Sequence, residues 1–321
     1  MPSNYPSLNS LLQQAEDLVV SRKHLPTDPD ALQIRRAWLR HHLTKALGYI
    51  PPHEAPLAAR TESKSVPAEG LIEEAVAFDR ETGGPMRGVL TRPAETPDPL
   101  PAVILLHGWD LDKTGVNSTA TSLARAGYVV LRPGNQCVSG SHGCVDGESC
   151  EHLGMTYMGL TTYENMRGLD YLCSREDVDA DRVAAVGMCW SGVQCYVLAA
   201  LDERVKAACA ICGIAPQGTL PTDFAFAQGH MCIGSFLPGF LEEAGIQDLM
   251  ALIAPRPLLV QNNVTEEWYP VLGFRSAKAE TKMVYRTMGH PERFDARVET
   301  SSRDLTPQFI ENAVEWLDRH L

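Results

Sequence analysis

No stretch of the chain is apolar for long enough to cross a bilayer as a helix. Met1–Ser10 lacks the basic segment and apolar core of an export signal, so a cytoplasmic location is expected. Internal repeats and low-complexity segments are missing as well. Positive charge is scarce: 28 Lys and Arg stand against 40 Asp and Glu, a formal net charge of −12. So acidic a chain is expected to bind neither nucleic acid nor an anionic membrane surface. The nine cysteines are odd in number and unevenly spaced. In a chain without an export signal, free thiols are the default.

What is present suits a globular protein with a large core: 321 residues, 44% hydrophobic and 21% charged. That length fits one α/β domain with additions. Apolar residues from Leu8 to Val19 recur at helical spacing. A second helix is predicted from Asp28 as cap and Pro29 at the first position. It carries Ala31, Ile34, Trp38, Leu43 and Leu47 and stops at Gly48. Residues 1–70 are therefore expected to form a helical extension, ahead of a main domain at 71–321. His41-His42 point apart on that helix, which favours a solvated or packing role over metal binding.

From Leu71 the pattern changes. Leu71–Phe78 and Met86–Thr91 flank Thr82-Gly83-Gly84 and read as an antiparallel hairpin. Strands are predicted at 101–106, 128–131, 182–186, 205–211, 257–261 and 282–286. Helices are predicted at 115–125, 162–173 and 193–201, with a last one opening at Thr306-Pro307. Alternating strands and helices after an antiparallel start imply a mostly parallel sheet flanked by helices. One break in composition, Gly213–Met250, is rich in Phe, Gly and Pro and reads as an insertion over the active site.

One stretch carries chemistry: Val186-Gly187-Met188-Cys189-Trp190-Ser191-Gly192. A strand enters it and a helix leaves it, around a Gly-x-nucleophile-x-small turn, the pattern of a nucleophile elbow. Such a turn demands small neighbours, which Gly187, Ser191 and Gly192 supply. Here the apex is Cys189. A thiol at a helix N-terminus sees the positive end of the dipole, which favours thiolate. Ser191, two residues past the apex, reads as a stand-in for glycine. A triad on this plan needs an acid and then a histidine, each past a later strand. Glu266 and Glu267 follow the strand at 257–261, and His290 follows the segment at 282–286. The oxyanion hole takes the N–H of Trp190 and one from the loop after 101–106, where Gly108 precedes Trp109. His107 reads as a structural residue at the strand end. Cys137, His142, Cys144 and Cys150 share one Gly-rich loop without the close Cys-x-x-Cys pairs of structural zinc sites. Cys209 and Cys212 have redox spacing but sit on a strand, where residues three apart face opposite sides; they read as packing. No metal and no cofactor is therefore expected.

With those residues in place, the sequence resembles the dienelactone hydrolase family of α/β-hydrolases and related esterases with a helical N-terminal extension. The resemblance covers about residues 71–321. It implies the α/β-hydrolase fold and a Cys-His-acid triad, with Cys189 matching the nucleophile and His290 the Gly-His. In related esterases the acid often lies four residues before a proline, which from Pro270 points to Glu266, a Glu where the family usually has Asp. Ser191 stands where the family more often has Gly. The implied reaction is cleavage of a small ester or lactone through a thioester acyl-enzyme. Acyl transfer by the same triad, and a non-catalytic binding protein of the same fold, are the alternatives. A homo-oligomer is compatible with the sequence.

Overall fold

The computed structural model describes residues 24–81, 85–95, 98–106, 113–134, 154–213, 237, 239–240, 244–264, 271–300 and 306–321, with the side chains of 113–115 and 271–273 set aside. Its first described helix, α1 (Pro29–Leu47), forms where the caps dictate. The Asp28 side chain accepts from Ala31 N at 2.9 Å, and Pro29 fills a position whose N–H would be unpaired. Gly48 ends it at φ 79°. A Cβ there would lie 2.3 Å from the Gly154 carbonyl oxygen, so glycine is required twice over. The buried stripe is Leu32, Leu39, Leu43, Ala46 and Leu47, while Ile34 is 73% exposed.

Among the described residues, nine strands make one sheet: β1 (Arg60–Ser65), β2 (Leu71–Phe78), β3 (Met86–Pro93), β4 (Leu100–Leu106), β5 (Val129–Gly134), β6 (Val178–Met188), β7 (Val205–Ile211), β8 (Leu258–Asn263) and β9 (Phe294–Glu299). Their order is β1-β2-β3-β5-β4-β6-β7-β8-β9. β1 to β3 and the β3–β5 contact are antiparallel; every other neighbour is parallel. The mostly parallel sheet with an antiparallel start is thus the one expected. β1 is an addition to it: all six residues are exposed, so no apolar alternation marked it.

Helices cover both faces. Among the described residues they are α2 (Lys113–Arg125), α3 (Tyr157–Cys173), α4 (Trp190–Leu201), α5 (Ile246–Ile253), α6 (Val271–Thr287) and α7 (Pro307–His320), with a 3-10 turn at Pro291–Arg293. The strands read as continuous apolar runs because each face has its own layer. Val183 and Ala185 of β6 join α1, α3, α4, α5 and α6 in one layer. Ala184, Val186 and Met188 join α2 and α7 in the other.

One segment differs from expectation. The residues 282–286 belong to α6, not to a strand. Phe274, Ala277, Thr281, Val284 and Tyr285 are fully buried at helical spacing, and that stripe outweighs the short apolar run. The last strand, β9, comes afterwards and shows period two in Phe294, Ala296 and Val298. Among the described residues, no helix is long and apolar enough to cross a membrane.

Candidate active site

The centre of the site is the turn between β6 and α4. Cys189 occupies its apex at φ 59° and ψ −124°, a conformation that L-residues rarely adopt. Two hydrogen bonds hold it there. The Cys189 N–H donates to the Ile211 carbonyl at 2.8 Å, and its own carbonyl accepts from Gly192 N at 2.9 Å. The turn is tight enough that a Cβ on Gly187 would sit 2.1 Å from the Ser191 carbonyl oxygen. Cys189 stands at the N-cap of α4, half-buried, with no capping bond from its side chain. The residue thus stands at the positive end of the helix dipole.

Ser191 does not compete for that place. It is fully buried, and its hydroxyl has no hydrogen-bond partner among the described residues. Trp190 is buried against Tyr157, ring centroids 5.4 Å apart, which fixes the first turn of α4. A turn lower, Asn165 of α3 donates to Gln194 of α4 at 3.0 Å. Beside the elbow, β7 ends in a second strained cysteine: Cys212 is buried, at φ 48°, and its N–H donates to Gln261 O at 2.7 Å. Asn263, the last residue of β8, donates to the Cys212 sulfur at 3.6 Å. The antiparallel side of this edge carries a buried ion pair, Arg80 with Glu164 at 2.5 Å.

Of the other sequence candidates, Trp109, Glu266, Glu267 and the loop with Cys137, His142, Cys144 and Cys150 lie outside the described residues. The segment holding Glu266 does leave from the elbow's edge of the sheet. β8 runs parallel to β6 and β7, and Val264 N donates to Glu299 O at 3.0 Å where β8 and β9 both end. Among the described residues, no group of three or more His, Cys, Asp or Glu is placed to hold a metal ion. His42 stacks on Trp38 at 4.3 Å, a packing role.

His290 is not brought to the elbow. It follows α6, and the 3-10 turn lies between it and β9, so it sits at the start of β9 and not past its end. Its N–H donates to Tyr285 O at 2.9 Å; the Tyr285 hydroxyl in turn donates to Arg256 O, just before β8 begins. The registers align Met188 with Ile211, Gln261 and Arg297. At roughly 3.3 Å per residue and 4.8 Å per strand, that leaves His290 on the order of 20 Å from Cys189, at the opposite edge. The error has one source, the helical segment 282–286 read as a strand. The segment after β9, residues 300–306, reads Thr-Ser-Ser-Arg-Asp-Leu-Thr and contains no histidine. The histidines in segments that leave the elbow's edge are His107, His142, His152 and His230, all outside the described residues. The period-two alternation of Phe294-Asp295-Ala296-Arg297-Val298-Glu299 is the sequence signal that identifies the last strand and hence which loops leave the elbow's edge.

Comparison with known proteins bears on the fold and the reaction class. The dienelactone hydrolase family matches residues 86–227, which include the elbow and stop short of β8. YtaP of Bacillus subtilis (strain 168), a protein assigned as a hydrolase, is 25% identical over 89% of this chain and all of its own length. A Bacteroides fragilis NCTC 9343 protein assigned as an acetyl xylan esterase superposes with a TM-score of 0.72 at 16% identity, covering 95% of this chain and 85% of that one. A glucuronoyl esterase from Solibacter usitatus gives 0.69 at 16% identity, covering 91% and 94%. The fold is that of the α/β-hydrolases.

Proposed function

We propose that the protein is a carboxylic ester hydrolase of the dienelactone hydrolase kind, with Cys189 as its nucleophile. The observation that carries the reading is the strained backbone of Cys189 at a strand-to-helix apex. A cost of about 1–3 kcal/mol for such a conformation persists where the surroundings enforce it, and such positions cluster at active sites. The matched family and the hydrolase and esterase assignments of the similar proteins support the same reaction class.

In this reading the Cys189 thiolate attacks the ester carbonyl carbon. The oxyanion that forms accepts hydrogen bonds from the N–H groups of Trp190 and Trp109. Collapse breaks the carbon–oxygen bond; the alcohol leaves with a proton from the base, and a thioester remains. Water, deprotonated by the same base, cleaves the thioester and restores the thiolate. Glu266 orients the base. The base is drawn from His107, His142, His152 and His230, since His290 lies at the far edge of the sheet.

Turnover of short-chain aryl esters and lactones tests this. Cys189→Ala is expected to lose at least ~10³-fold in kcat/KM with the fold retained by circular dichroism. Ser191→Ala is expected to stay within about tenfold of the parent. The reverse pattern would move the nucleophile to Ser191. Counting hydrolysed and transferred products separates hydrolysis from acyl transfer.

A further inference from the structure

At the edge of the sheet opposite Cys189, an open cavity of about 360 Å³ lies between α1, the turn from α4 to β7, and the turn from α5 to β8. Arg36, Arg40, Lys206 and Arg256 line it. Most of the guanidinium hydrogen bonds go to neutral carbonyls. Arg36 Nε donates to Ala251 O at 3.1 Å, and its Nη2 to Leu252 O at 3.3 Å and to Ala254 O. Arg40 Nε donates to Ala200 O at 3.3 Å. Arg256 donates to Asp202 O at 3.0 Å, to Val205 O at 2.6 Å and to Ala199 O. These bonds clasp α1 to the C-terminal ends of α4 and α5. They satisfy donors, but they do not neutralise charge.

The charge balance is uneven. The carboxylate on the cavity wall is Glu203, 4.0 Å from Arg40 and 80% exposed, a pair of small energetic weight. Two helix C-termini add about −0.5 each. Four cations against one carboxylate and those dipoles leave roughly +2 in a protein of net charge −12. Burial, and after it the neighbouring Arg40, lowers the Arg36 pKa, and Arg40 also opposes the charge on Arg256. Lys206 has no ion-pair or hydrogen-bond partner among the described residues. Its ammonium group and the two terminal nitrogens of Arg40 make no hydrogen bond there.

We propose that this cavity is a binding site for a compact oxyanion of charge −2 or more, a phosphate or a cluster of carboxylates on a short organic body. Lys206 and Arg40 contact the anionic head, while Arg36 and Arg256 supply field from behind. The volume falls within the range of small-molecule sites and exceeds what a bare phosphate fills.

The test is thermal denaturation and calorimetric titration of the full chain with inorganic phosphate and with citrate, ionic strength balanced by chloride. One anion or the other is expected to bind saturably, half-maximal at about a millimolar or below, and to raise Tm along the same curve. Phosphate alone identifies a phosphate head; citrate alone identifies carboxylates. Lys206→Ala and Arg40→Gln keep Arg36 and Arg256, which carry most of the clasp, and are each expected to weaken binding about tenfold or more. Both anions also stabilise proteins by exclusion from the surface, which raises Tm without saturation and equally in the variants. That pattern, no saturable heat with either anion, or saturable binding that both variants keep, overturns the site. No readout depends on ester cleavage, so failure here and failure of the hydrolase reading are distinct.

Discussion

At the scale of single residues, the thiols differ sharply in environment. Cys195 and Cys209 are fully buried; burial pushes the Cys209 thiol up to about 12 and the Cys195 thiol higher still. Burial also raises the Cys173 thiol. Such groups stay protonated and inert near neutral pH. Cys189 has the helix N-terminus beneath it and partial exposure. Iodoacetamide at pH 7 is therefore expected to modify Cys189 well before Cys173, Cys195 or Cys209, with activity lost in step by peptide mass mapping. Mild peroxide is expected to inactivate in the same proportion, with recovery on addition of a thiol reductant, because a sulfenic acid is reducible. Full activity with Cys189 alkylated would exclude covalent catalysis by that residue.

At the scale of elements, His290 gives the sharpest test. Placed at the start of β9, it has no route to the reaction. His290→Gln is expected to keep kcat/KM within about threefold, whereas substitution of the true base costs at least about a hundredfold. A loss of that size at His290 would mean the register of β8 and β9 is wrong. This element also marks where the sequence stopped being legible. Caps with specific chemistry read correctly: Asp28, Pro29 and Gly48 bound α1, and Thr306-Pro307 opens α7. Buried parallel strands read correctly too, as unbroken apolar runs. β1 did not, because a fully exposed strand of Arg, Thr, Glu, Ser and Lys has no buried face to write a pattern. α6 did not either, because Lys282–Arg286 holds three apolar or aromatic residues in five and mimics a strand once the longer helical stripe is overlooked. The elbow was legible from Gly187 and Cys189 alone, since sterics leave few residue choices there. The base was not, because its identity depends on which edge of the sheet each loop leaves, and that follows from topology.

At the scale of the whole molecule, carboxylates set the acid limit. Burial works against ionisation of Asp170, but hydrogen bonds from His53 and Arg204 outweigh it and lower its pKa. Burial is likewise overcome at Glu74 by Arg175 and Arg92, and at Asp177 by Arg175. Each folded pKa lies below its unfolded value, so each group stabilises the fold above the unfolded pKa of about 4 and loses that contribution as pH falls through the folded pKa. Tm is expected to be flat with respect to these groups from pH 7 to 5 and to drop steeply below about pH 4. Asp170→Asn is expected to lower Tm at pH 7 and to flatten the acid limb; an unchanged limb would assign it to other groups.

The exposed strand β1 has a consequence for colloidal behaviour. An unpaired strand edge is a template on which another chain can add, and among the described residues β1 is where this sheet ends on its antiparallel side. Its residues are Arg60, Thr61, Glu62, Ser63, Lys64 and Ser65, and the β2 strand behind it carries the buried run Val76-Ala77-Phe78. Charge at Arg60, Glu62 and Lys64 discourages edge-to-edge stacking. Replacing Glu62 and Lys64 with Val is expected to leave the fold intact and to produce concentration-dependent aggregates in light scattering. A variant that stays dispersed would mean the edge is guarded by something other than charge. By this logic a strand nearly invisible to pattern analysis, and remote from the chemistry, keeps the folded chains apart.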